Sequence, residues 1–123
     1  MDSDRLVRDF CAAWSRADLD AIMDAFAEDA IYHTMPMAPA QGKTEIRAFI
    51  EGFMKMSPNG VEFEIVNQVA AGNLVLNERI DTFVNEGNKT SAPVCGVFEL
   101  DSSGKITAWR DYFDMAAFQG AGD

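Results

Sequence analysis

The chain has 123 residues, 48% hydrophobic and 24% charged, which fits one domain over residues 1–123 and supplies enough apolar surface to fold without disulfides or a structural metal. Ten basic against twenty acidic residues leave a formal net charge of −10, which excludes the basic footprint that nucleic-acid binding needs and argues against docking on anionic membranes. The same charge favours neutral or cationic small molecules as partners over anionic ones.

Met1-Asp2-Ser3-Asp4-Arg5 is polar and has no secretory-signal character, so the expected location is cytoplasmic. Leu6, Val7, Phe10, Cys11 and Trp14 then recur at three- and four-residue spacing and predict a helix with one apolar face. Asp18 reads as the N-cap of a second helix that buries Leu19, Ile22, Met23 and Phe26. A short β-prone run covers Ala30 to Thr34. The following segment, Met35 to Gly42, is expected to be irregular because Pro36 and Pro39 remove backbone donors. A third helix fits Lys43 to Met56, with Ile46, Phe49, Ile50, Phe53 and Met54 inward, and Ser57-Pro58-Asn59-Gly60 ends it.

The second half predicts four strands: Val61 to Ala70, Leu74 to Val84, Lys89 to Leu100 and Lys105 to Phe113. The connections are short and contain glycine, which makes antiparallel hairpins. Three helices followed by a four-stranded meander imply an α+β domain with the helices on one sheet face. The tail Gln119-Gly120-Ala121-Gly122-Asp123 reads as frayed. Cys11 and Cys95 have no paired-cysteine spacing and read as buried small hydrophobes in a reducing compartment.

The polar residues of the strands carry the functional signal. Residues two apart point the same way, so Arg79 and Asp81 share a face with Val75, Asn77 and Phe83, and Asp111 shares one with Trp109 and Phe113. Charged groups between large apolar neighbours describe a polar cluster set into an apolar cavity. The planar fork of Arg79 can bridge two carboxylates. With two acids beside one cation, a dry site holds one carboxyl protonated and one ionised. A matched acid and base in one pocket is what concerted acid–base chemistry needs. An inert buried ion-pair network satisfies the same pattern.

Several segments resemble the limonene-1,2-epoxide hydrolase family: Phe26-Ala27-Glu28-Asp29-Ala30-Ile31-Tyr32 leading to Met35-Pro36-Met37 and Gly42, then Glu78-Arg79-Ile80-Asp81, then Gly104 through Asp114 with Trp109-Arg110-Asp111. The resemblance implies a cone-shaped NTF2-like fold shared with ketosteroid isomerases and SnoaL-like polyketide cyclases, in which a curved, mainly antiparallel mixed sheet encloses an apolar pocket. It also implies Asp81 as the general acid that protonates the epoxide oxygen, Asp111 as the base that takes a proton from water, and Arg79 as the bridge between them. Tyr32 would help hold the water, and Trp109, with Phe83 and Met35, would wall the substrate pocket. Where the family carries a water-holding asparagine, this chain has Thr34, whose hydroxyl is shorter than an amide. The implied enzyme hydrates a compact apolar epoxide to a vicinal diol as a homodimer, without metal or organic cofactor.

Two rival readings stay open on the residues alone. An isomerase or cyclase needs one carboxylate base and an oxyanion donor, and has no use for a second acid coupled through Arg79. A non-catalytic module for a lipophilic ligand would bind as well without Asp111. His33 faces away from Tyr32 and Thr34 and reads as a structural or exposed residue. Met35 and Met37 are candidates for an adaptable pocket mouth, and Arg110 and Tyr112 for helix packing or a dimer contact.

Overall fold

The computed structural model describes residues 1–119, so the expected fraying of the tail from Gly120 onward lies outside the described residues. Helix α1 (Ser3–Ser15) opens with Asp2 accepting from the Arg5 backbone N–H at 3.0 Å, and α2 (Leu19–Asp24) with Asp18 accepting from Ala21 at 3.1 Å. Each cap satisfies a donor that the first helical turn leaves open. Strand β1 (Phe26–Thr34) and the two-residue β2 (Ala40–Gln41) precede α3 (Gly42–Met56). Strands β3 (Val61–Ala71), β4 (Leu74–Asn85), β5 (Asn88–Leu100) and β6 (Ile106–Phe113) follow, then the short α4 (Ala116–Gln119).

The six strands form one sheet in the order β2-β1-β6-β5-β4-β3. β1 runs parallel to β6 and every other pairing is antiparallel, so the meander expected from the second half forms and β1 closes onto its far side. Register slips between Phe26 and Ile31, Ile65 and Asn67, and Glu99 and Leu100 are the kind of irregularity that bends strands. Helices α1–α3 lie against this sheet, α1 mainly on β3 and α3 on β1. Val7, Phe10, Cys11 and Trp14 are buried as their spacing predicts, whereas Leu6, at the margin of that stripe, stays 38% exposed. Among the described residues no helix is long and apolar enough to cross a membrane.

Three expectations need correction. Phe26 does not belong to α2: the helix ends at Asp24, and the Ala25 carbonyl accepts from Ile106 N–H at 2.8 Å, which commits the chain to the sheet. One apolar residue satisfies either period, and pairing with β6 decides between them. The proline segment is not irregular throughout, because Ala40 and Gln41, beyond the reach of Pro39, pair with Tyr32 and Ile31. Cys95 is exposed rather than buried. It sits on β5 opposite Glu78 and Tyr112, on the face away from α1–α3.

Candidate active site

Alternation along β4 turns Val75, Asn77, Arg79 and Asp81 inward, and all four are buried while Leu74, Leu76 and Glu78 point out. On β6 the same alternation buries Trp109 and Asp111. The Arg79 guanidinium is fully buried, and each of its five N–H groups has an acceptor. Nε and Nη2 donate to the two oxygens of Asp81 at 3.0 and 2.8 Å. Nη1 and Nη2 donate to those of Asp111 at 3.2 and 2.8 Å. The remaining Nη1 proton goes to Asn77 Oδ1 at 3.1 Å. The rings of Phe63 and Trp109 lie 4.8 and 5.7 Å from the guanidinium carbon, a cation–π contact that partly replaces lost hydration.

Burial disfavours the Arg79 cation, and the two carboxylates beside it more than offset that, so it stays charged. Burial also pushes the Asp81 carboxyl above the ordinary carboxylate range; the Arg79 contacts oppose this shift and the nearby Asp111 charge adds to it. Asp111 accepts a third hydrogen bond, from Trp109 Nε1–H at 2.7 Å onto Oδ1. Burial first, and then the Asp111 charge, hold the Tyr32 phenol well above its usual value. Tyr32 is therefore a neutral hydroxyl at any working pH. Cys11 lies behind Asn77, and burial pushes its thiol up to about 12, which leaves no thiolate for nucleophilic chemistry.

A small cavity of about 20 Å³ opens on Asp81 and Asp111, with Tyr32 and Thr34 as its other polar walls and Phe53, Phe63, Phe83 and Phe113 among its apolar ones. That is room for one water. The parallel pairing of Thr34 with Asp111 and of Tyr32 with Trp109 brings both hydroxyls there. Beyond the cavity lies an apolar hollow of about 180 Å³ lined by Met37, Phe53, Met56, Phe113 and Met115. It shares Phe53 and Phe113 with the inner cavity.

The structure thus gathers Arg79, Asp81, Asp111, Tyr32, Thr34 and Phe83 at one place. It does not bring Met35 there: that residue's backbone N–H extends the sheet to the Asp111 carbonyl at 3.0 Å, and Met37 reaches the hollow instead. Trp109 is not a wall of the cavity either. It is fully buried beneath Tyr32, the two rings stacked at 4.0 Å, and acts on the site through Asp111. Asn77 is the group that sequence reasoning passed over, although it shares the face of Arg79. Its amide is oriented from outside: Gln68 Nε2 donates to Asp4, which leaves Gln68 Oε1 for Asn77 Nδ2 at 3.1 Å and Asn77 Oδ1 for Arg79. Among the described residues no three His, Cys, Asp or Glu side chains converge as metal ligands.

Residues 1–121 match the family described as the limonene-1,2-epoxide hydrolase catalytic domain. The epoxide hydrolase EphG of Mycobacterium tuberculosis is 32% identical over 109 residues, 89% of this chain and 71% of EphG. A solved structure of an M. tuberculosis LEH-like epoxide hydrolase superposes with a TM-score of 0.83 at 31% identity, over 97% of this chain and 87% of that one. A SnoaL-like protein from Shewanella denitrificans superposes with a TM-score of 0.87 over 97% of this chain and 95% of its own. At 15% identity it is similar in fold alone.

Proposed function

From the premise that this chain belongs to the limonene-1,2-epoxide hydrolase family, we propose that it hydrates a compact apolar epoxide to a vicinal diol in one acid–base step. Family membership and the EphG relative support epoxide hydrolysis in general. One observation carries the finer reading: two buried carboxyls held by a single guanidinium on the wall of a cavity the size of a water. Asp81, whose carboxyl burial pushes above its ordinary range, delivers a proton to the epoxide oxygen as the C–O bond breaks. Asp111 takes a proton from the water as its oxygen attacks carbon. The hydroxyls of Tyr32 and Thr34 flank the place of that water. The alkoxide leaves as an alcohol and no ester forms on the enzyme. General acid or base help of this kind contributes about 10²–10⁴-fold per group.

The apolar body of the substrate occupies the Met37–Met115 hollow, which shares Phe53 and Phe113 with the inner cavity. We also assign the outer sheet face, where Leu74, Leu76 and Tyr112 remain exposed, to pairing of two copies, which sedimentation at graded concentration tests. The test of the reaction is single-turnover hydration of cyclic and terpenoid epoxides in ¹⁸O-labelled water, with Asp111→Asn beside it. Label in the diol from the first turnover, lost in the variant, is the expected result. Diol whose first turnover carries unlabelled oxygen would mean a covalent carboxylate route and would sink the one-step reading.

A further inference from the structure

Arg79 lies on β4 and Asp111 on β6, with β5 between them. Neighbouring strands are about 4.8 Å apart, so the guanidinium reaches Asp111 only by lying across the inner face of β5. The β5 residue beneath it is Gly96, paired with Asn77 on one side and Asp111 on the other. A Cβ at Gly96 would overlap Arg79 Nη1 and stand 2.9 Å from both Asn77 Oδ1 and Asp111 Oδ1. The backbone does not ask for glycine there, because Gly96 is not among the residues with positive φ. Strand stability argues against it, since glycine inside a strand weakens it. What requires glycine at this position is the space the guanidinium fills.

We propose that Gly96 is a positioning residue: the gap it leaves over β5 allows one guanidinium to hold Asp81 and Asp111 together and so sets the geometry between acid and base. Its effect on rate rests on the hydrolase reading above, while its effect on geometry does not. The three atoms nearest an alanine methyl at 96 are all side-chain ends. In Gly96→Ala the strand therefore stays and the guanidinium moves, and Nη1 gives up Asn77 and Asp111.

Two tryptophans supply a readout independent of turnover. Trp109 Nε1–H donates to Asp111 at 2.7 Å, whereas Trp14 Nε1 is buried without a partner. In a ¹H–¹⁵N spectrum the Trp109 indole proton lies downfield and reports the state of Asp111. The experiment compares wild type, Gly96→Ala and, as control, Gly52→Ala, where a Cβ on α3 meets nothing within 4 Å. In Gly96→Ala the Trp109 signal moves further than that of Trp14, which has no hydrogen bond to the site, and kcat on a cyclic epoxide falls about 10²-fold with KM little changed; the control matches wild type throughout. A folded Gly96→Ala protein with the Trp109 signal in place, or with an unchanged kcat, overturns the proposal. If the wild type hydrates no epoxide, the hydrolase reading fails and the indole signal still decides the geometry. If Gly96→Ala does not fold, the same substitution is made in the Arg79→Ala background and the stability of the double variant is compared with that of Arg79→Ala alone. A glycine-to-alanine penalty that vanishes without the guanidinium supports the proposal, and one that persists refutes it.

Discussion

The sheet carries an arginine–carboxylate contact on each face, the inner one from β4 to β6 and the outer one from β6 to β5. Inside, Arg79 Nη2 meets Asp111 at 2.8 Å with side chains 0% and 5% exposed; outside, Arg110 Nη1 meets Glu99 at 2.6 Å with side chains 31% and 42% exposed. Residue chemistry and distance are nearly the same, and one sheet thickness separates them. Outside, water screens both charges, and such a pair contributes about 0–1 kcal/mol. Inside, burial strips bulk water from the ions, so every guanidinium donor is matched within the protein and the Asp81 carboxyl is pushed above the ordinary carboxylate range. In the proposed reaction it is burial, rather than the pairing itself, that separates the inner ion pair from the outer one.

That contrast can be broken at several points. Asp81→Asn removes the transferable proton while keeping the shape, and the rate falls by about 10²–10⁴-fold; Glu99→Gln leaves steady-state turnover as it was. An Asp81→Asn enzyme of normal rate would remove Asp81 from the acid role. Arg79→Met leaves two carboxyls buried around no cation and costs about 3–5 kcal/mol in urea unfolding at neutral pH. The loss shrinks as acid protonates them. Arg110→Met on the outer face costs less than about 1 kcal/mol.

The pH profile sharpens the comparison further. Because the folded-state value of Asp81 is raised, its stabilising contribution is full below the unfolded carboxylate value and is lost as pH rises through the raised one. Turnover follows the same direction. A plot of log kcat against pH bends down on the alkaline side, in wild type and in Glu99→Gln alike. A flat alkaline side would contradict a protonated Asp81. The smallest expected effect is at the water: Thr34→Asn reaches further into the cavity, and one more hydrogen bond of about 1 kcal/mol raises kcat about fivefold. A fall would mean that the threonine is matched to its water as it stands.

Much of this architecture was legible in the residues. Helical spacing located α1 and α3, and the three glycine-containing connections placed β3 to β6 within a residue or so. Strict alternation put Arg79 and Asp81 inward with Val75 and Phe83, since side-chain direction along a strand is a local property of the backbone. Pairing between strands distant in sequence is not local. The parallel seam of β1 on β6 carried Tyr32 and Thr34 to Asp111, took Phe26 out of the helix, and left Met35 as a backbone link. The face to which Cys95 turns and the crossing of Arg79 over Gly96 depend on register across three strands. The one-dimensional pattern determined which groups face the cavity. Only the packed sheet decided which of them touch, because reach across β5 depends on what the intervening strand leaves empty.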